Sequence, residues 1–245
     1  MRVAVVIPSR YGSTRFPGKP LAEIAGISMI RRVYERAARA ERVTEVAVAT
    51  DDRRIAEAVA AFGGKALMTP ESCRSGTDRA AAAARLLGLA PEDIVVNVQG
   101  DQPVFAPECL DEVTAPLLED PSLGMTTLAF EIVRESEITD PKDVKVVMDA
   151  RGFALYFSRS PIPFGRDPGA VFPTYKHLGI YAYRASFLER FAKLPDGVLE
   201  NIEKLEQLRA LEHGLPIRVV VTAHDSPEVD LPSDIVRIAA MLKDE

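Results

Sequence analysis

The sequence lacks the features that mark membrane-spanning and disulfide-bonded secreted proteins. Its two cysteines, Cys73 and Cys109, have no C-x-x-C spacing, which favours two separate buried thiols over a disulfide. No apolar run approaches the roughly 20 residues that a membrane-spanning helix needs. The apolar stretch from Met1 to Ile7 is too short for the core of a signal peptide. These absences predict a cytoplasmic protein with no membrane partner.

An excess of positive charge is also missing. The chain carries 36 acidic and 30 basic residues, a formal net charge of −6, which disfavours broad binding to nucleic acids or membrane surfaces. A site for a polyanion must therefore be a local positive pocket. With 245 residues, 47% of them hydrophobic, the chain can bury one large core, and no repeat or linker divides it. We therefore expect a single domain over 1–245.

Several familiar catalytic and nucleotide-binding patterns are absent. A P-loop requires four residues between its glycines and a hydroxyl after its lysine, but five residues separate Gly12 from Gly18, and Pro20 replaces the hydroxyl. The dinucleotide fingerprint G-x-G-x-x-G does not occur. We find no Ser-His-Asp or Cys-His set for covalent catalysis, and no second His or Cys is spaced to help His177 bind a metal.

What the sequence does contain is a β-branched strand that runs into a basic loop. The apolar run Val3–Ile7 is followed by Arg10, Arg15 and Lys19 among glycines and prolines. Glycines let backbone N–H groups approach a ligand, and three nearby cations repel one another unless an anion lies between them. A solvated basic loop remains an alternative, but ligands of open α/β sheets lie at the carboxyl ends of strands. The loop therefore predicts a polyanion site, most simply for a nucleoside triphosphate.

Strand and helix signals alternate along the chain, which predicts a βαβ series with a mostly parallel sheet. Apolar runs predict strands at Val3–Ile7, Val46–Thr50, Lys65–Met68, Ile94–Val98, His177–Tyr183 and Ile217–Thr222. Helical periodicity follows Ser28, precedes Gly63, and recurs at Thr77–Leu87, Ala185–Ala192, Asn201–Glu212 and Ser233–Lys243. Val144–Met148 and Phe153–Phe157 flank turn residues and predict a hairpin. We expect the segment 144–183 to form an antiparallel insertion.

The stretch 7–21, Ile-Pro-Ser-Arg-Tyr-Gly-Ser-Thr-Arg-Phe-Pro-Gly-Lys-Pro-Leu, resembles the N-terminal signature of the sugar-acid cytidylyltransferases, with Ser9 in place of alanine. Further matching blocks lie, in order, at 48–51, 75–79, 96–101, 154–159, 177–181 and 205–209. The resemblance implies a three-layer α/β/α sandwich with a Rossmann-like sheet, of the nucleotide-diphospho-sugar transferase type. It also implies transfer of CMP from CTP to 3-deoxy-manno-octulosonate (Kdo) for lipopolysaccharide synthesis, in a homodimer joined through the insertion.

The resemblance assigns roles to individual positions. The nucleotide would bind at Pro8, Arg10, Ser13, Arg15, Lys19, Ser75, Gly76 and Gln99, with Arg10, Lys19 and Asp101 as catalytic residues. The sugar would contact Arg159, His177, Tyr181, Glu206 and Gln207, and Mg²⁺ would bind Asp101 and Asp230. The position of Asp101, directly after the strand Ile94–Val98, independently predicts a carboxylate beside the basic loop. Two departures from the family pattern lie next to the proposed metal ligands, at Gln102 in place of glutamate and Leu231 in place of threonine.

Simpler structural roles remain open for these residues. Asp101 could form a turn, Asp230 could cap the last helix, and the segment 75–78 could be only a helix N-terminus capped by Thr77. His177 could be structural, and Glu206 with Gln207 could form an ordinary helix surface.

Three alternative functions also remain open. The chain could activate another acid sugar, such as 8-amino-Kdo or a nonulosonate, although the sequence Gly18-Lys19-Pro20-Leu21 favours Kdo over sialate-type acceptors. It could be a nucleotide sensor without turnover, but the argument against this is that four residues are intact: Arg10, Lys19, Asp101 and Asp230. A metal-dependent glycosyltransferase is disfavoured because Gln102 and the proline after it interrupt the Asp-x-Asp pattern.

Overall fold

A computed structural model describes residues 1–12, 16–73, 75–167 and 169–242. Its strands are β1 (Val3–Ser9), β2 (Glu23–Ile24), β3 (Ile27–Ser28), β4 (Glu45–Thr50), β5 (Ala66–Met68), β6 (Ile94–Asn97), β7 (Met125–Glu131), β8 (Lys145–Met148), β9 (Ala154–Ser158), β10 (Tyr175–Arg184) and β11 (Arg218–Thr222). Its α-helices are α1 (Met29–Ala37), α2 (Arg53–Ala61), α3 (Gly76–Leu86), α4 (Glu108–Glu119), α5 (Glu135–Thr139), α6 (Ala185–Phe191), α7 (Val198–Glu203), α8 (Leu208–Glu212) and α9 (Asp234–Met241).

The main sheet has the strand order β11-β7-β10-β6-β1-β4-β5. Strand β1 pairs in parallel with β4 and β6, β4 pairs in parallel with β5, and β11 pairs in parallel with β7. Strand β10 is antiparallel to both of its neighbours, β6 and β7. Along this path of strands, β10 alone runs against the others. The expectation of a mostly parallel α/β sheet is therefore confirmed.

Helices cover both faces of the sheet because successive strand residues point to opposite sides. Val5 and Ile7 of β1 belong to a core cluster that includes side chains of α1, α2 and α4. Val6 of β1 belongs to the opposite cluster, which includes α3, α6 and α8. In α3 all five alanines at 80–84 are buried, and the helix packs on β1 and β6. The three-layer arrangement is confirmed.

The structure differs from the sequence expectation in the middle of the chain. The elements α4, β7 and α5 lie in a region for which no elements were predicted. The predicted hairpin forms as β8 and β9, which extend from β10. Strand β10 itself lies inside the main sheet, between β6 and β7, rather than in a separate insertion.

The single helix predicted over 201–212 is wrong. The structure contains two short helices, α7 and α8, because Lys204 adopts a left-handed conformation with a φ of 55° and ends α7. Ser28 and Ser233 do occupy the N-cap positions of α1 and α9, but neither side chain makes a capping hydrogen bond. No helix within the described ranges is long and apolar enough to span a membrane.

Candidate active site

Tyr11 and Gly18, in the described part of the segment after β1, are joined by a backbone hydrogen bond and by packing against the Tyr11 ring. The amide of Gly18 donates to the carbonyl of Tyr11 at 3.0 Å, and Gly18 has a φ of 73°. A Cβ atom on Gly18 would meet the Tyr11 ring at 3.1–3.3 Å, and this close contact together with the positive φ favours glycine here. The guanidinium of Arg54 lies 3.3 Å from the centre of the Tyr11 ring and is paired with Asp52. Helix α2 therefore holds the Tyr11 side chain in place. The predicted residues Ser13 and Arg15 lie outside the described part of the chain.

Lys19 and two carboxylates from distant segments meet at the carboxyl edge of the sheet. The Lys19 ammonium lies 2.5 Å from an oxygen of Asp101 and 4.0 Å from an oxygen of Asp230. It also donates to the carbonyl of Val229 at 2.9 Å. The amide of Val229 donates to the Asp101 carbonyl, which joins the segment before α9 to the loop after β6. The expectation that Asp101 lies beside the basic loop is confirmed.

A cleft of about 280 Å³ opens beside this cluster. Among the predicted nucleotide residues, those that line it are Pro8, Arg10, Lys19, Ser75, Gly76 and Gln99. Asp101 lines it as well, and so does Arg79, which sequence reasoning missed. The Arg79 guanidinium is buried and donates to Asp51 at 2.7 Å and to Thr69 at 2.6 Å. The blocks 48–51 and 75–79 contained Arg79 and its partner Asp51, but nothing in the sequence showed that they pair.

The N-terminus of α3 faces the same cleft. The hydroxyl of Ser75 accepts a hydrogen bond from the amide of Asp78 at 3.1 Å, so Ser75 caps the helix. The prediction that Thr77 is the cap is wrong, because its hydroxyl donates instead to Glu206 at 2.7 Å. A side chain on Gly76 would come within 3.7 Å of Pro8 and occupy the cleft. Capping and ligand binding are compatible here, since a helix N-terminus attracts anions.

Glu206 and Gln207 are not an ordinary helix surface. Glu206 accepts hydrogen bonds from the hydroxyls of Ser75 and Thr77, both at 2.7 Å. Burial raises the pKa of Glu206, although these hydrogen bonds and Arg209 oppose the shift. Gln207 is only 3% exposed, and its Nε2 atom has no hydrogen-bond partner in the described ranges. Gln207 therefore belongs to the protein interior, and Glu206, with a side chain that is 27% exposed, binds the N-terminus of α3.

His177 and Tyr181 lie on β10 in a row of aromatic rings. The His177 ring is 5.1 Å from the ring centres of both Phe157 and Tyr181. This burial lowers the pKa of His177 well below its usual value and raises that of Tyr181. His177 Nε2 lies 2.8 Å from the hydroxyl of Thr127 on β7, a residue without any recognisable sequence signal.

Arg159 is engaged with the backbone. Its guanidinium donates to the carbonyl of Glu203 at 2.7 Å and to that of Pro141 at 2.8 Å, with a longer contact to Lys204. These bonds join the end of β9 to the end of α7. Arg159 does not line either of the two clefts near Lys19. Its predicted contact with a sugar carboxylate stays a prediction.

A second cleft, of about 400 Å³, is lined by Asp230 together with His177, Leu178 and Glu228, among others. The amide group of Gln102 donates to the carbonyl of Leu178 at 2.5 Å and to Glu228 at 3.2 Å. The sequence departure at Gln102 removes a carboxylate, but Glu228 provides another carboxyl group in contact with it. Burial, together with the nearby Asp101 and Asp230, raises the pKa of Glu228 to about 8, so this second carboxyl group is mostly protonated at neutral pH and does not replace the missing negative charge.

A basic loop, a helix N-terminus and Asp101 surround one cleft, and Asp230 lies 4.0 Å from Lys19 at its edge. These features are those of an enzyme of nucleotide transfer. A family model described as Cytidylyltransferase matches residues 4–219. The chain is 69% identical to a 3-deoxy-manno-octulosonate cytidylyltransferase of Desulfosudis oleivorans, over 99% of this chain and 98% of the relative. It is 56% identical to an 8-amino-3,8-dideoxy-manno-octulosonate cytidylyltransferase of Shewanella piezotolerans, over 96% of each.

A solved structure gives the same result. CMP:2-keto-3-deoxy-manno-octonic acid synthetase complexed with CTP matches with a TM-score of 0.93 and 43% identity, over all of this chain and 99% of the other. The chain belongs to the cytidylyltransferase family.

Proposed function

We propose that this chain transfers CMP from CTP to the anomeric hydroxyl of Kdo and releases pyrophosphate. The observation that carries the proposal is the meeting of Lys19 and Asp101 at the nucleotide cleft, next to the cleft that His177 lines. Relatives named for Kdo at 69% identity, and a solved synthetase complexed with CTP, support both substrates.

The reaction needs one bond to form and one to break at the α-phosphorus of CTP. The anomeric oxygen of Kdo attacks that phosphorus, the bond to the β-phosphate oxygen breaks, and the hydroxyl proton is released to water. Arg10 and Lys19 would hold the phosphates, since Arg can bind phosphate bidentately and Lys acts as a point charge. Positioning and electrostatic stabilisation supply most of the acceleration in phosphoryl-type transfers.

Mg²⁺ is the cofactor that we propose for this site. Asp101 and Asp230 present carboxylate oxygens to one shared cation, the ammonium of Lys19, so the donor set fits a hard cation. Within the described ranges no group of three or more His, Cys, Asp and Glu side chains is arranged to hold a metal. Two carboxylates are sufficient because Mg²⁺ usually keeps several waters and binds substrate phosphates. When bound, Mg²⁺ would neutralise charge that develops on the phosphate oxygens.

We further propose a cytoplasmic homodimer that supplies lipopolysaccharide synthesis. Val198 and Ile202, four residues apart on one face of α7, are 71% and 72% exposed. Phe164 and Val171, in the segment that follows β9, are 88% and 99% exposed. The carbonyl contacts of Arg159 bring the start of that segment to the end of α7. Exposed apolar groups in such number support a protein-protein interface.

The first experiment measures pyrophosphate release from CTP and Mg²⁺ with Kdo, 8-amino-Kdo or N-acetylneuraminate. Asp101→Asn is the test variant, and Glu119→Gln is its control, because Glu119 is exposed at the end of α4 and has no side-chain partner in the described ranges. Release with Kdo that is lost in Asp101→Asn and kept in Glu119→Gln supports the proposal. Release only with 8-amino-Kdo would move the acceptor assignment to the amino sugar. No release with any acceptor, alongside CTP binding by calorimetry, would favour a nucleotide sensor.

A further inference from the structure

The hydroxyl of Thr127 touches two groups that together determine where its proton lies. Thr127 Oγ1 is 2.7 Å from the carbonyl oxygen of Ile180 and 2.8 Å from Nε2 of His177. A carbonyl only accepts hydrogen bonds, so the single hydroxyl proton of Thr127 is donated to Ile180. The threonine oxygen must then accept from His177. Nε2 therefore carries the imidazole proton, and Nδ1 carries a lone pair.

A β-bulge in β10 makes the Ile180 carbonyl available. The pairing of β10 with β7 shifts register between His177 and Tyr181, and Gly179 within the bulge has a φ of 69°. A bulge interrupts the regular ladder and leaves backbone groups without their usual strand partners. The Thr127 hydroxyl occupies this gap. The bulge thereby supplies the acceptor that orients the Thr127 proton.

The imidazole is held in place while its other nitrogen stays accessible. The rings of Phe157 and Tyr181 pack against it at interplanar angles of 76° and 51°. Thr127 is fully buried, so water does not compete for its hydroxyl. Nδ1 of His177 has no hydrogen-bond partner in the described ranges. It is not fully enclosed by the protein either, so a ligand can reach it. His177 also lines the 400 Å³ cleft.

We propose that Thr127 fixes His177 in its neutral, Nε2-protonated form, so that Nδ1 accepts a hydrogen bond from a hydroxyl of the acceptor sugar. Thr127 is a positioning residue, and His177 is the residue that binds the substrate hydroxyl. The inference rests on the proposed function, because it requires a polyhydroxylated acceptor at the cleft. In this arrangement His177 binds the acceptor sugar and does not transfer a proton during the reaction.

The kinetic test compares Thr127→Val, which removes the hydroxyl at similar volume, with Thr127→Ser, which keeps it. In Thr127→Val the KM for Kdo is expected to rise about tenfold, the effect of losing one hydrogen bond, while the KM for CTP stays unchanged. Thr127→Ser is expected to restore the low KM. His177→Phe keeps an aromatic ring and removes the acceptor, so it tests the same contact if Thr127→Val does not fold.

The second readout needs no turnover. Nitrogen-15 NMR of the wild-type protein at neutral pH, with the His177 signal assigned by its loss in His177→Phe, reports which ring nitrogen carries the proton. We expect Nε2–H in wild type and Thr127→Ser, and a mixture of tautomers in Thr127→Val. Nδ1 protonation or a charged imidazole in the wild type would overturn the inference.

The two readouts separate this inference from the proposed function. The expected tautomer with an unchanged KM for Kdo in both Thr127→Val and His177→Phe would overturn the substrate-binding role of His177. Another outcome is that the expected tautomer is found although no acid sugar is turned over. In that case the proposed function fails, and so does the claim that His177 binds a sugar hydroxyl. The claim that Thr127 sets the tautomer of His177 would still hold.

Discussion

At the scale of single residues, the candidate site depends on how one lysine compensates two carboxylates. Lys19 is 15% exposed at its side chain, and the side chains of Asp101 and Asp230 are also largely shielded, at 25% and 19%. Coulomb interactions in such partly desolvated positions are stronger than on an open surface. Removing the ammonium would leave two like charges facing each other.

We expect Lys19→Met to lower kcat/KM by a factor of about 10²–10³, because a preorganised donor at a charge-developing site contributes roughly 3 kcal/mol. The measurement is pyrophosphate release with saturating Kdo and varied CTP. Lys65→Met is the matched control, since Lys65 is half exposed and pairs only with Glu45 in the described ranges. Wild-type activity in Lys19→Met would show that the lysine is dispensable for phosphate binding.

The sequence was most informative where a residue type and a strand end together imply chemistry. Arg10 and Lys19 were predicted from the basic loop that follows a strand, Pro8 and Gln99 were implied by the family resemblance, and all four line one cleft. Thr127 could not be predicted, because its importance arises from a partner 50 residues away in sequence. Arg159 shows the converse case: its block matched the family, but its contacts in this structure are with backbone carbonyls.

At the scale of elements, α5 is tied to β10 by a buried charge network. Glu137 of α5 is buried, with 7% side-chain exposure, and accepts hydrogen bonds from Arg134 and from Lys176 of β10. Lys176 also donates to Asp225 at 2.9 Å. Burial by itself raises the pKa of Glu137, but the two cationic donors outweigh it and hold the pKa below the usual 4.5.

The depressed pKa predicts a stability contribution that depends on pH. A carboxylate whose folded pKa is lowered stabilises the fold above its unfolded pKa, and this stabilisation is lost as the pH falls through the folded value. We therefore expect Glu137→Gln to lower the free energy of unfolding by about 2 kcal/mol at neutral pH. The loss should shrink progressively once the pH drops below 4.5, the usual pKa of a glutamate. Urea denaturation at neutral and acidic pH measures it.

Glu135→Gln is the control for this prediction, because Glu135 is an exposed acidic residue of the same helix. It should change the unfolding free energy little at either pH. An equal loss in Glu137→Gln at both pH values would mean that packing, rather than the charge network, accounts for the effect.

Prediction of strands and helices from the sequence succeeded for continuous apolar strands. It failed where the structure formed by a segment differs from the one that its own residues favour. Strand β7 went unpredicted; Thr126 and Thr127 interrupt its apolar run, although both are fully buried and hydrogen-bonded. The helix expected over 201–212 is interrupted at Lys204, although no glycine or proline in this stretch signals a helix end. In both cases the surrounding fold overrides local propensity.

At the scale of the whole molecule, the exposed apolar face of α7 predicts self-association. We expect Ile202→Asp to convert a dimer into a monomer, because the new carboxylate would have to lose its hydration inside the interface. Sedimentation velocity at micromolar concentration measures the change. Val236→Asp on α9 is the control, since Val236 is 76% exposed on another helix. A wild-type chain that sediments as a monomer would contradict the homodimer proposal.

The reversed strand β10 also has a consequence for the order in which the protein is made. Strand β6 presents an open edge until β10 is synthesised, because Tyr181 pairs with Asn97 across more than eighty intervening residues. An unpaired strand edge can pair with other chains, and distant pairings slow folding. The amino-terminal half of the nascent chain therefore leaves the ribosome with an unpaired strand edge that can aggregate, and this edge is covered only when β10 has been synthesised. Chaperone demand in the cell should be greatest during that interval.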